Sequence, residues 1–470
     1  MLAVTVILVS SCKLTKPVQH QSAIKTPATY TGQTDSAGIG EIKRSVFFTD
    51  QKLVALIDTA ILNNLDLKMA VQRIEMARSN ILFANGALLP SVSAEISGGG
   101  RKFGDYTMDG VGNYDTNFSP NVDSDRKLPA PFMPDYFAGL RSSWEVDIWG
   151  KLKIQRKASY TRFLATDKAR QAITTSLVAQ VASLYYELLN LDTELNIIQK
   201  NIRLQQTAVE TVGIQKEAGR ANELAVRQFR AQLLNTQSFE IDINQRIIAT
   251  ENQLNLILGR FPQRISRSST LEQTFPQQIQ AGIPSELLRQ RPDVQQAELE
   301  MLANYNDQQA ARLAFLPSLN ITAMLGFNAF KSNLIFNPGS IAYNALGGFA
   351  APLINRKALK AGAKRAEAAS LESLYNYNKS ILTGFQEVST SLNKIENSRK
   401  ITAFKREEVA VLQQAVATSR DLFLTGYASY LEIIMAQRSV LEAEITLTNV
   451  QTDQYLALVE LYRSVGGGWE

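Results

Sequence analysis

A single cysteine, Cys12, and a single histidine, His20, are all that 470 residues supply of the two side chains that most often carry metal and nucleophilic chemistry. A disulfide needs a pair of cysteines, and a structural zinc site generally takes four Cys or His ligands, so neither forms within one chain. His20 stands in a polar, proline-containing tail and reads as a solvated side chain. Nucleophile, general base and orienting group cannot be assembled from what remains, so no enzyme activity, no metal site and no cofactor is expected. Cys12 keeps a different use. It follows an apolar run from Leu2 to Val9 and the pair Ser10-Ser11, and it precedes a polar segment from Lys13 to Lys43. A run of about eight apolar residues is too short to span a bilayer but fits the core of a secretion signal.

The string Leu8-Val9-Ser10-Ser11-Cys12 resembles the bacterial lipoprotein cleavage site, in which small residues precede a cysteine that becomes the acylated first residue. The resemblance implies that Cys12 is lipidated. Lys13, in place of the aspartate that holds some lipoproteins at the inner membrane, implies anchoring at the outer one. No Lys or Arg precedes the apolar run, so the true translation start is expected upstream of Met1. The remaining composition, with 45% hydrophobic and 20% charged residues, is that of a folded chain. Its 49 Lys and Arg against 44 Asp and Glu give +5, spread thinly, and no basic run points to nucleic acid.

Positioning is the business of a repeated plan. Ala84, Ala87, Leu89, Pro90 and Ser91 recur as Ala311, Ala314, Leu316, Pro317 and Ser318, each 227 positions on. Asp66-Leu67 with Ala70 answers to Asp293-Val294 with Ala297 at the same offset. Val181, Gly219 and Leu224 then match Val388, Gly426 and Leu431 at 207. About twenty residues are therefore missing from the second copy, between Gly326 and Ser340, where the first copy runs from Ser97 to Asp135. Such a tandem repeat predicts two equivalent structural units.

Within each copy the hydrophobic period changes. Val181, Leu184, Leu188, Leu191, Leu195, Ile198 and Ile202 alternate steps of three and four, as do Leu374, Ile381, Phe385, Val388, Leu392 and Ile395. A 3.5-residue period held this long predicts supercoiled helices. Without proline between Gly150 and Gly219, the first helix can run about 68 residues, on the order of 100 Å. Its partner is expected over 221–258, and copy two repeats the plan over 357–425, a turn at Gly426, and a return to about Ser464. Elsewhere the period is two. Val92, Ala94 and Ile96 alternate with Ser91, Ser93, Glu95 and Ser97, and Leu319, Ile321, Ala323, Leu325 and Phe327 alternate with Ser318, Asn320, Thr322 and Gly326. Return strands are expected over 134–148 and 340–354, carrying Leu140, Trp144 and Val146 in one and Tyr343 and Phe349 in the other. The Asp-, Asn-, Gly- and Pro-rich stretch 98–134 reads as a solvated loop.

Four strands of this length, polar on one face and apolar on the other, match membrane barrel strands. Their open edges cannot persist in hydrocarbon, so the four must close with copies of themselves. Two chains give eight strands, an interior filled by side chains; three give twelve and an aqueous path, so a conducting pore favours a trimer. A lipid-anchored coiled-coil scaffold with an ordinary small sheet and no pore fits the same pattern.

The chain resembles the TolC family of outer-membrane efflux proteins, more narrowly the lipidated outer-membrane components of tripartite pumps. The residues that carry this are Phe47-Phe48-Thr49-Asp50 with Leu53, Leu56-Ile57, Asn64, Asp66-Leu67, Ala70 and Arg73-Ile74; the stretch Leu287-Leu288-Arg289-Gln290-Arg291-Pro292-Asp293-Val294 with Ala297-Glu298; Trp144 through Lys151; Leu256-Ile257-Leu258-Gly259; Phe385-Gln386-Glu387-Val388; and Gly466-Gly467-Gly468-Trp469. The resemblance implies a mixed α and β membrane protein. Its homotrimer would form a twelve-stranded β-barrel, four strands per chain, continuous with a long periplasmic α-helical barrel. It also implies passive export in outer-membrane lipid, with an inner-membrane pump of the resistance–nodulation–division (RND) type and a periplasmic adaptor as partners. A duct for type I protein secretion is the alternative within the family.

Carried onto this sequence, the family's helical tips fall at Gly219, Arg220 and Ala221 and at Gly426, Tyr427 and Ala428, where the adaptor would land. Its periplasmic gate falls at Glu432, with Phe423 where a relative has tyrosine, and Met435 where relatives can carry aspartate. Arg227 and Arg230 are expected to pair with Glu432 across helices. The implied division is a signal at 1–12, a polar tail at 13–46, a first repeat at 47–265 with its hairpin at 91–148, a linker at 266–282, and a second repeat at 283–470 with its hairpin at 318–354.

Overall fold

The computed structural model describes residues 43–128, 132–268, 287–352 and 356–469, together with Lys25, Pro27, Thr29, Tyr30 and Pro284. Cys12 and His20, and nearly all of the expected signal, tail and linker, lie outside these residues. The described elements make a mostly helical, mixed α and β protein that divides into two compact units.

The first unit, Met76–Phe163 with Glu300–Ser373, is built on one antiparallel sheet in the order β1 (Ser91–Arg101), β2 (Met133–Val146), β3 (Ser318–Ala329) and β4 (Ile341–Ala350). Directly paired residues share a face, so the register sorts the side chains. Val92, Ala94 and Ile96 lie level with Ser142, Leu140 and Ala138; Leu140 pairs with Leu325, Trp144 with Ile321, and Val146 with Leu319; Tyr343 and Phe349 follow on β4. That face is apolar apart from Ser142, and Val92, Ile96, Leu140, Leu325, Tyr343 and Phe349 on it are exposed. The other face carries Ser91, Ser93, Glu95, Arg141, Ser143, Thr322 and Asn344. One residue of slip would exchange the two sets, so the observed register is the one the alternation demands.

Three expectations for this unit need correction. The return strands end earlier than expected, at Val146 and Ala350. After Val146 the backbone turns, with Ile148 N donating to Val146 O, and Asp147 accepts from Leu152 N and Lys153 N at 3.0 and 2.9 Å to start the next helix. Nor does β4 begin at Ser340, whose N–H closes a one-turn helix onto Asn337 O. The stretch 98–134 is not all loop either. β1 continues through Gly98, Gly99 and Gly100 because β2 supplies ladder partners as far as Met133. Beyond it, Met108–Phe118 is helical (α3), capped by the Thr107 hydroxyl and braced by Tyr114 against Phe118, one helical turn apart.

The second unit, Gln21–Glu75, Leu164–Leu299 and Leu374–Glu470, is helical. Across the chain, α1 (Gln51–Asn63) and α2 (Leu65–Gly86) precede the sheet; α4 (Lys151–Glu217) and α5 (Glu223–Ile257) form one hairpin; α6 (Pro292–Leu313) leads to β3; and α7 (Arg356–Thr425) and α8 (Tyr430–Ser464) form a second hairpin. At 67 residues, α4 has the length its uninterrupted heptads predicted. Of its seven seam positions, six are buried and Leu195 packs against the same core, and α7 buries Leu374, Tyr377, Ile381, Gly384, Val388, Ser391, Ile395, Ser398 and Thr402 in the same alternation of three and four, with smaller side chains than α4.

The core gathers Phe47, Phe48, Leu53 and Ile57 with Tyr185, Leu188, Leu254, Leu458 and Tyr462. Phe47 stacks on Tyr462 with ring centres 4.1 Å apart. Beside it two helix ends are built alike. Gly259 (φ +67) lies against Asn63 O, and Gly466 (φ +92) against Gln290 O; a Cβ at either would come within 2.6 Å of that oxygen. Next to them, Asn64 Nδ2 donates to Ile257 O at 2.9 Å and Arg291 Nη1 to Ser464 O at 2.8 Å. Every member of one set is displaced from its counterpart by 207 or 227 positions, the two offsets of the sequence.

Candidate functional site

The residues singled out from sequence gather at the turns of the two helical hairpins. Gly219 and Gly426 both take positive φ, +72 and +82. Behind Gly219, Arg220 N donates to Gln215 O and Gly219 N to Lys216 O; behind Gly426, Tyr427 N donates to Leu422 O and Gly426 N to Phe423 O. These are Schellman closures, and only glycine enters them without a Cβ penalty. The following helices are capped by Asn222, which accepts from Ala225 N, and by Ser429, which accepts from Leu431 N. The turns are joined by a small apolar cluster of Val212, Ala225, Phe229 and Ile433, against which Ala221, Val226, Phe423, Tyr430 and Ile434 pack. Around it Arg220, Leu224, Tyr427, Leu431 and Met435 are exposed.

One expectation for this region changes. The ion pairs from Arg227 and Arg230 to Glu432 are not made within the chain. Arg227 Nε instead meets Glu223 Oε1 at 3.0 Å, one helical turn away, and Lys216 Nζ reaches the same carboxylate at 2.5 Å. No ion pair of Arg230 is found among the described residues. Glu432 sits three positions into α8, where its carboxylate takes the Ser429 hydroxyl, the geometry of a capping box. That bond holds its carboxyl below the usual carboxylate range. The Ser-x-x-Glu spacing was legible in the sequence. Phe423, half-buried, packs on the apolar cluster.

A second constellation was visible as a motif but not as a device. Arg291, 3% exposed, grips Asp293 with Nε and Nη2 at 3.0 and 2.7 Å, reaches Glu387 at 2.7 Å, and donates to Ser464 O. Glu387 also holds Arg463 at 3.0 Å. Gly384 gives the Arg291 side chain its room, with Cδ 3.4 Å from where a Cβ would stand. This network ties α6, α7 and α8 together at one level. Farther along the same helices, Asn190 joins Glu194, Asn449 and Thr452, and burial pushes the Glu194 carboxyl above its usual range against the pull of Arg246.

No described helix is long and apolar enough to cross a membrane. The four-stranded sheet is a different kind of element. It has a mainly apolar face and a mainly polar one, its edge strands β1 and β4 have no further strand partner among the described residues, and it is continuous in sequence with long helical hairpins. The chain belongs to the outer membrane efflux protein family, whose model matches residues 56–260 and 283–467. It is 27% identical over 471 residues to the solvent efflux pump outer membrane protein SrpC of Pseudomonas putida, covering 98% of this chain and 97% of that one. It is 28% identical over 426 residues to the cation efflux system protein CusC of Escherichia coli, covering 90% and 88%. A crystal structure of CusC superposes with a TM-score of 0.83 at 26% identity over 96% of this chain and 99% of that one. The outer-membrane channel OprN shares the fold, with a TM-score of 0.84 at 22% identity over 96% and 98%.

Proposed function

We propose that three copies of this chain close into a passive export channel, the outer-membrane duct of a tripartite efflux system for small molecules or ions. The observation that carries this reading is the sheet, which has one mainly apolar face and, among the described residues, no further strand partner at β1 or β4. Each unpaired backbone group in hydrocarbon costs several kcal/mol, and closing with copies removes the edges. Twelve strands leave an aqueous path where eight do not. Four-strand contributions then follow from two equivalent repeats, 47–265 and 283–470, joined by 266–282. Cys12 anchors the trimer in outer-membrane lipid.

The exposed tips, with Gly219, Arg220, Ala221, Gly426, Tyr427 and Ala428, receive a periplasmic adaptor, through which an inner-membrane RND-type pump supplies the driving force. Glu432, three copies around one axis, forms the narrow ring, with Arg227 and Arg230 flanking it and Phe423 supporting it from the cluster beneath. Expression in cells lacking their own outer-membrane duct, beside the cognate pump and adaptor, is expected to restore drug efflux. Gly219→Trp with Gly426→Trp should abolish that efflux while trimers stay in the outer membrane. Full efflux by the double variant would remove the tips from the account.

A further inference from the structure

We propose that the ion pair between Glu95 on β1 and Arg141 on β2 sets the charge selectivity of the barrel wall, by holding the middle of the lumen neutral. The inference rests on the trimeric channel reading above. Glu95 stands directly opposite Gly139, so Arg141, two residues on, is its diagonal neighbour on the polar face. Arg141 Nε meets Glu95 Oε2 at 2.5 Å, and both side chains stay partly exposed, 48% and 37%.

The guanidinium does not stand free of the wall. It lies 4.8 Å over the ring of Phe137, which is 4% exposed. Phe137 in turn lies against Gly139, which faces Gly326; a Cβ on Gly139 would fall 2.5 Å from the Gly326 Cα and 2.9 Å from the Phe137 ring. Gly139 therefore makes the seat, the aromatic ring fills it, and the ring supports the cation.

The rest of that face explains why this pair matters. Glu95, Arg101, Asp135, Arg141 and Glu145 are the ionisable residues on the polar face of the four strands. Arg101 pairs with Asp135 at 3.7 Å towards one end, and Glu145 pairs with Lys151, just beyond the strand, at 2.5 Å at the other. On β3 and β4 that face carries Ser318, Asn320, Thr322, Met324 and Asn344, without a charge. Beside Arg141 a shallow cavity of 310 Å³ is lined by Ser91, Ser93, Ser143, Thr322 and Asn344, groups that hydrate a solute of either sign. The central pair is the sole mid-wall source of charge among the described residues, and pairing cancels it. Breaking it in three protomers at once would place a ring of three like charges around the lumen.

The test is the reversal potential of the purified full-length trimer in planar bilayers under a KCl gradient. Three unit charges about 10 Å from the axis, in water and screened over one Debye length at 0.1 M salt, change the potassium-to-chloride permeability ratio about fivefold. Glu95→Gln should move the ratio about fivefold towards chloride and Arg141→Gln about as far towards potassium. The combined Glu95→Gln, Arg141→Gln variant, and the swap Glu95→Arg with Arg141→Glu, should return it to the wild-type value. Raising the salt to 1 M, where the Debye length is about 3 Å, should erase the single-variant shifts. Conducting single variants with unchanged ratios, or both shifted in one direction, would overturn the proposal and leave the channel intact. A wild-type trimer that does not conduct would remove the channel reading, and this inference with it.

Discussion

Replacing Arg291 with alanine should loosen the helical unit far more than the equivalent change in the other half of the chain. Removing one partner of a buried ion pair costs about 3–5 kcal/mol. The lower end applies here, because Glu387 keeps Arg463 at 3.0 Å and Asp293 is 42% exposed and can hydrate. The buried Ser464 carbonyl loses its donor as well, for about 1 kcal/mol more. The total is about 3–4 kcal/mol. At Asn64, which occupies the matching place against Ile257 O and caps Leu67 N, alanine removes two neutral hydrogen bonds, about 2 kcal/mol together. Native-state proteolysis of the detergent-solubilised full-length protein reads the difference, since cleavage follows the open population when reclosing is fast. With tenfold per 1.4 kcal/mol, Arg291→Ala should be cut faster than wild type by two to three powers of ten, and Asn64→Ala about thirtyfold. Arg291→Lys keeps the charge but not the planar fork, and should fall between them. Equal cleavage of Arg291→Ala and Asn64→Ala would show that the buried network stabilises nothing beyond ordinary hydrogen bonds.

Two further outcomes follow from the same geometry. Gly426→Ala meets nothing within 4 Å and should cost only the left-handed backbone penalty of about 1–2 kcal/mol, whereas Gly466→Ala adds a Cβ 2.6 Å from Gln290 O and about 1–3 kcal/mol of overpacking; thermal melting that ranks them equal would refute the close approach. Glu194, whose carboxyl is raised by burial, contributes stability that is complete below its unfolded pKa and lost as pH rises through the higher folded value. Glu194→Gln should therefore melt above wild type at pH 8, with the gain disappearing at pH 4, and a lower melting temperature at pH 8 would contradict the assignment.

What the sequence disclosed divides along physical lines. Elements with a strong period were legible: 3.5 in α4, two in β1 and β3, and glycine at each Schellman turn. Pairing that depends on which atoms meet was not. Arg227 was expected on Glu432, yet a carboxylate one helical turn away, Glu223, claims it first, because neighbours along a helix meet without any tertiary precision. α3 escaped notice because Asp, Asn and Gly dominate it, and its support is a threonine cap and one aromatic pair. Arg291 stood inside a motif already singled out, but its reach to Glu387, 96 residues on, is a product of folding that no local spacing announces.

The most direct measurement is single-channel recording from the purified, full-length protein in planar bilayers, with oligomeric state followed on the same sample. The account requires trimers that give discrete conducting steps with no energy source, blocked or enlarged by changes at Glu432. Trimers that leave the bilayer silent under every applied voltage, or conductance carried by the monomer, would contradict it.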